Sequence, residues 1–177
     1  MVLEVRRLHL ASLRGPDGLE WPVHGFVVTH PGGAVLVDTG VCGQNAVFPH
    51  AAFHVQRAEL DRARRESPEL CDWFDFAGAR FELLDGDTGI LPGLSVIATP
   101  GHTAGHQCVV VRSAAGAADL MIGDAAYTPR LYAGPPGGQL PPGQASDPVA
   151  WRRSLGRIHA VGAERVHFCH HTDVVHG

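Results

Sequence analysis

A chain of 177 residues suits one domain, and at 45% hydrophobic residues it has enough apolar material for a sizeable core. Glycine (22) and proline (13) together make about a fifth of the chain, below the roughly 25–30% that marks disorder, so a loop-rich globular domain over residues 1–177 is expected. The net charge of -4, with no cationic run beyond Arg62, Arg64 and Arg65 in a helical pattern, gives no support to nucleic-acid or membrane-surface partners.

Residues 2–10 alternate in polarity and predict a strand without a signal-peptide layout. No apolar run approaches the roughly 18 residues of a membrane span, so a cytoplasmic location is expected. Residues 22–30 and 34–38 flank Pro31-Gly32-Gly33, which reads as a β-hairpin. The second strand ends at Asp38-Thr39-Gly40, and Val41 to Pro49 carries no clear element. Ala52 to Val55 suits a short strand, and 56–66 suits a helix with a charged outer face. Ser67-Pro68 ends that helix.

Strands follow at 80–84, 88–91 and 94–99, then the loop Thr99-Pro100-Gly101-His102-Thr103-Ala104-Gly105-His106. Two further strands, 107–112 and 118–123, surround Ala114-Ala115-Gly116, the second ending at Gly123-Asp124. Residues 128–146, rich in Pro, Gly and Gln, read as a long surface loop of the kind that forms lids or binding walls. Asp147-Pro148 opens a helix in the favoured order of N-cap then proline. That helix runs to about Ala160, and a last strand, 164–169, leads to His170-His171-Thr172-Asp173. The pattern suits an α/β (α+β) protein of two sheets packed face to face with helices outside.

Cys42, Cys71, Cys108 and Cys169 form no C-x-x-C pair and read as reduced thiols. Twelve histidines are the compositional oddity. His102, Asp124 and His170 each follow a predicted strand, and strand ends on one rim can aim side chains at a common centre. Two imidazoles and a carboxylate suit Zn²⁺ or a similar divalent ion, and a carboxylate can bridge two metals.

The local sequences Thr-Pro-Gly-His-Thr-Ala-Gly-His-Gln, Gly-Asp-Ala-Ala-Tyr-Thr and His-Phe-Cys-His occur in that order, after Val-Leu-Val-Asp-Thr-Gly. Together they resemble the metallo-β-lactamase superfamily, and within it the N-acyl-homoserine lactonase branch, from about Pro22 to His171. The resemblance implies an αββα sandwich and a metal-dependent hydrolase that opens a small-molecule ester or lactone, a quorum-quenching activity. It implies one or two Zn²⁺ ions. His102 would serve the first metal, Asp124 would bridge, and His170 would serve the second. Tyr127 would stand beside the substrate carbonyl, making Asp124 and Tyr127 the catalytic pair. Asp38 matches a structural aspartate.

One part of the pattern is missing. The superfamily's His-x-His-x-Asp-His signature should follow the Asp-Thr-Gly strand, but Asp38-Thr39-Gly40-Val41 runs directly into Cys42-Gly43-Gln44-Asn45-Ala46-Val47-Phe48-Pro49. Relatives carry a similar Gly-x-Asn-x-x-Phe-Pro run after the signature, so the resemblance implies an internal deletion rather than drift. The lost segment would hold a helix, a core strand and four ligands, roughly 30–50 residues. The expected fold is therefore a sandwich incomplete by one helix and one core strand. Backbone groups beside the lost strand would be left open. Three remaining ligands would hold at most one Zn²⁺, and activity would be weak or lost. The alternative is a non-catalytic remnant or small-molecule-binding protein of the same fold.

Other histidines have plainer roles. His106 is expected to hydrogen-bond its loop rather than ligate. His171 should point away from His170. His50 and His54 would substitute as ligands only on a helix, and the resemblance puts them in a strand behind the site. Nothing near Cys169 argues for a lowered thiol pKa.

Overall fold

The computed structural model describes residues 3–14, 18–38, 50–66, 75, 78–134 and 138–177. Strands β1 (Glu4–Arg14), β2 (Glu20–His30) and β3 (Gly33–Val37) form an antiparallel sheet in that order. The hairpin predicted around Pro31-Gly32-Gly33 is present, with His30 paired to Gly33. His30 reinforces the turn, since its Nδ1 accepts the Gly32 N–H at 2.8 Å.

β4 (Ala52–Gln56) and β5 (Arg80–Leu84) pair in parallel as a separate two-stranded sheet, and α1 (Arg57–Glu66) follows β4 directly. Six strands make the third sheet: β6 (Thr88–Leu91), β7 (Leu94–Ala98), β8 (Gln107–Arg112), β9 (Ala118–Met121), β10 (Arg165–His167) and β11 (Val174–His176). They stand in the order β11-β10-β9-β8-β7-β6, and only β9 and β10 run parallel. The short α2 (Pro129–Tyr132) and α3 (Pro148–Ala160) come between β9 and β10. No helix among the described residues is long and apolar enough to cross a membrane.

The large sheet is covered on both faces, and β8 displays the reason. Its residues alternate in direction, as a strand must. Cys108 and Val110 join Leu120, Ile158, Val166 and Phe168 in a core under α3. Val109 and Val111 join Phe26, Val28, Leu94, Val96 and Met121 in a second core against the β1–β3 sheet. A helix layer, a sheet and a second sheet therefore stack as the sequence predicted. β3 and β4 belong to different sheets, and among the described residues each keeps one unpaired edge.

Several predicted bounds shift. β1 extends to Arg14. β9 stops at Met121, short of the predicted 123, because Ile122 turns to helical dihedrals and Gly123 takes φ 52°, a value that suits glycine. A single 3₁₀ turn (Gly123–Ala125) follows and presents Asp124. β10 is three residues rather than six, and β11 was not foreseen. Residues 128–146 are not simply a surface loop: α2 lies within them, and the Gln144 side chain is fully buried. Val41 to Pro49, Ser67-Pro68, Cys42 and Cys71 lie outside the described residues.

Candidate metal-binding site

Each candidate ligand sits where a strand of the large sheet gives way to a turn. β7 runs out at Ala98 and the 99–106 loop carries His102. β9 runs out into the 3₁₀ turn holding Asp124, and the chain after β10 carries His170. β7, β9 and β10 share one sheet, so these ends gather on one rim. His102 Nε2 stands 3.4 Å from Asp124 Oδ2, and His170 Nε2 stands 3.1 Å from Asp124 Oδ1. The structure thus brings together all three residues singled out from sequence.

The outer nitrogens of the two rings decide their chemistry. His102 Nδ1 lies 3.0 Å from the Gln144 carbonyl, and His170 Nδ1 lies 3.0 Å from the Pro22 carbonyl. A carbonyl only accepts, so each Nδ1 must carry the proton. In the neutral ring Nε2 then presents a lone pair to a carboxylate oxygen, and two such acceptors require a cation between them. A proton can serve: Asp124 raises the His170 pKa despite burial. Burial pushes the Asp124 carboxyl up, but the His170 hydrogen bond and the neighbouring rings outweigh it and hold Asp124 below its ordinary value.

A divalent ion can serve as well. With metal–donor bonds of about 2.0–2.2 Å, two donors on a tetrahedral ion stand about 3.3–3.6 Å apart. The two histidine–carboxylate separations lie at or just below that span. Locking Nδ1 to a carbonyl also matches the way ligating imidazoles are oriented. The donor chemistry therefore fits Zn²⁺ along two edges that share Asp124. The donor number does not. Among the described residues no group of three His, Cys, Asp or Glu side chains converges to hold an ion. Asp124 stands between the histidines, so the three residues are arranged as two His–carboxylate pairs that share it.

Tyr127 is the aromatic neighbour of both rings, edge-on to His102 at 5.8 Å and to His170 at 5.2 Å. Burial, then the charge on Asp124, pushes its hydroxyl up to about 12, so it remains a proton donor at neutral pH. Trp21 of β2 packs edge-on against it. His106 is closer to the chemistry than its sequence position suggested. Its Nε2 accepts the Asp124 N–H at 3.1 Å, and its Nδ1 bonds Thr99 Oγ1 at 2.8 Å. The expected loop bond is present, and the same ring also fixes the Asp124 turn.

A cavity of about 480 Å³ reaches His102, His106 and Asp124 from between Val37 at the end of β3 and Val55 of β4, with Glu59 on its wall. Cys169 lines it too, but burial and then Asp38 push that thiol well up, so it is no nucleophile; its Sγ donates to Asp38 Oδ2 at 3.2 Å. His54 lies on β4, as expected, whereas His50 lies in a turn ahead of that strand, and both are exposed.

No family model matches the chain. Among solved structures it is similar to a quorum-quenching N-acyl homoserine lactone lactonase, with TM-score 0.79 and 19% identity over 96% of this chain and 93% of that one. A metallo-β-lactamase-like protein from Thermotoga maritima gives TM-score 0.68 at 14% identity over 99% of both chains. The chain has the metallo-β-lactamase fold. Sequence likeness within that fold is more local. An N-acyl homoserine lactonase from a Bacillus species is 31% identical over 86 residues, 49% of this chain and 34% of its own length. A lactonase, AttM, from Rhizobium johnstonii is 35% identical over 109 residues, 52% of this chain and 38% of its own. The matched region thus spans about a third of the length of these curated relatives.

Proposed function

We propose that this chain is a lactonase-type metallohydrolase reduced to half of its ligand set, acting on N-acyl-homoserine lactones or related small esters far more slowly than a complete site would. One observation carries the proposal: the Nε2 lone pairs of His102 and His170 converge on the two oxygens of Asp124, with both tautomers set by backbone carbonyls. Structures similar in fold hold N-decanoyl-L-homoserine at the active site and N-hexanoyl-L-homoserine at a catalytic metal centre. That supports a lactone as the substrate class.

The resident residues have separable tasks. The His102–Asp124 and His170–Asp124 pairs would each offer two donors to a Zn²⁺, which when bound lowers the pKa of water so that a nucleophile exists at neutral pH. The Tyr127 hydroxyl, kept protonated, donates to the carbonyl oxygen as charge gathers there. His106 keeps the Asp124 backbone in place. The missing signature would fall between β3 and β4. Two features support its loss as an internal deletion: these strands occupy separate sheets, and residues of both, Val37 and Val55, line the cavity.

The test is zinc analysis of purified protein beside a lactone-opening assay. Substoichiometric zinc with slow, zinc-dependent opening of N-hexanoyl-homoserine lactone is expected, abolished by Asp124→Ala. A folded protein without zinc and without turnover overturns the catalytic proposal. The absence of a three-donor group among the described residues favours a second reading, a binding protein of the same fold. Lactone affinity unchanged by Asp124→Ala and by chelator would support that one.

A further inference from the structure

Residue Gln144 reaches both halves of the site at once. Its main-chain carbonyl accepts the His102 Nδ1–H at 3.0 Å. Its side-chain Nε2 donates to the Asp124 carbonyl at 2.8 Å and to the Ala125 carbonyl at 3.2 Å. Around it the chain is strapped to the His102 loop: Ser146 N–H donates to the His102 carbonyl at 3.2 Å, and Asp147 N–H to the Gly101 carbonyl at 3.0 Å. The Ala125 carbonyl also accepts Trp151 Nε1–H at 2.6 Å, which anchors the Asp124 turn to α3.

Packing alone does not account for a glutamine here. The side chain is fully buried, and its Oε1 has no hydrogen-bond partner among the described residues. A buried orphan acceptor is unfavourable, whereas an apolar side chain of the same shape strands nothing. The amide cannot turn over to relieve this, because its NH₂ is the only end that two carbonyls can accept. A methionine would fill the space but would leave the Asp124 and Ala125 carbonyls without this donor. The amide is explained by what it holds.

We propose that Gln144 is a positioning residue that fixes His102 and Asp124 in one frame, its main chain setting the His102 tautomer and its side chain holding the Asp124 turn. This rests on the proposed metal-ligating role of that pair. It assigns residues 138–147 a task other than that of a lid: the segment is a brace, and the spacing of the two donors depends on it.

The test uses Gln144→Met, which keeps volume, and Gln144→Glu, which keeps shape but loses the NH₂ donor. Two readouts apply. In the metal-free protein, ¹⁵N NMR of the His102 ring reports the tautomer. With Co²⁺ as the probe, visible absorption reports affinity and coordination. The wild type is expected to display an Nδ1–H ring, and folded variants to lose that fixed tautomer and bind Co²⁺ about 10–100-fold more weakly with a shifted spectrum. An Nε2–H ring in the wild type overturns the proposal without any variant. So do folded variants that keep both the tautomer and the Co²⁺ spectrum. If the wild type takes up neither Co²⁺ nor Zn²⁺, the metallohydrolase reading falls, while the NMR comparison still decides the role of Gln144.

Discussion

At the residue scale, three histidines surround Asp124 and the bond at each Nδ1 decides how each is used. His102 and His170 give Nδ1–H to backbone carbonyls and turn Nε2 to the carboxylate. The Nε2 of His106 is occupied by the Asp124 backbone N–H, so that ring holds the turn rather than an ion. Burial lowers the His106 pKa, which keeps that nitrogen unprotonated and able to accept. Asp119, elsewhere on β9, has a different set of partners. Arg165 meets it with two bonds, of 2.7 and 2.6 Å, and His167 Nε2 stands 2.7 Å away. Burial pushes Asp119 up, but the His167 bond and Arg165 outweigh it and bring the carboxyl down to about 2. A depressed folded pKa stabilises above the unfolded value near 3.8, and that stability is lost as pH falls toward 2. Discounted for half-exposed Arg165, the contribution is about 1–2 kcal/mol. Urea unfolding at pH 6 and pH 2.5 should show the wild type losing that much more than Asp119→Asn. Equal losses in the two proteins would refute it.

At the element scale, the loop from Thr99 to His106 is held from two sides, and its glycines mark the contacts. The Gly105 N–H donates to the Glu59 carboxylate at 3.1 Å, and a Cβ at Gly105 would stand 2.2 Å from the Glu59 backbone nitrogen. Gly105→Ala must therefore push the loop off α1, with an expected loss of about 1–3 kcal/mol and weaker zinc uptake through His102. Gly156 of α3 meets nothing within 4 Å, so Gly156→Ala should instead gain about 0.5–1 kcal/mol. Denaturant midpoints of the two variants check both signs, and a neutral Gly105→Ala would refute the clamp. This loop also marks how far the sequence could be read. Its strand–loop–strand frame was legible because apolar residues fill most of the short strands β7 and β8, and α3 was legible because Asp147 caps it, accepting from Val149 and Ala150. The bonds from Glu59 to Gly105 and from His106 to Asp124 join residues 46 and 18 positions apart, which no local pattern encodes. Gln144 was illegible for a similar reason: a single glutamine in a Pro- and Gly-rich stretch gives no sign of burial. β11, three residues long, is too short to display a period.

At the scale of the whole molecule, the sheets are unequally supported. β8 and β9 are central strands, paired on both edges and buried on both faces. β4 and β5 pair only with each other among the described residues, and alternate positions of both are exposed. Two strands alone are marginally stable in water, so β4 and β5 must draw their support from α1 and from the bonds joining them to the large sheet. Gln56 Nε2 donates to Gln107 Oε1 of β8 at 3.1 Å, and Gln107 Nε2 donates to the His54 carbonyl of β4 at 3.0 Å. Local opening should therefore begin at β4 and β5, while β8 and β9 open only with global unfolding. Native-state amide exchange checks this: the amides of β4 and β5 should exchange well before those of β8 and β9. Gln56→Leu should widen the difference by weakening the hold of β8 on β4 while leaving β8 protection unchanged. Exchange of β4 in step with β9, in both proteins, would refute this unequal support.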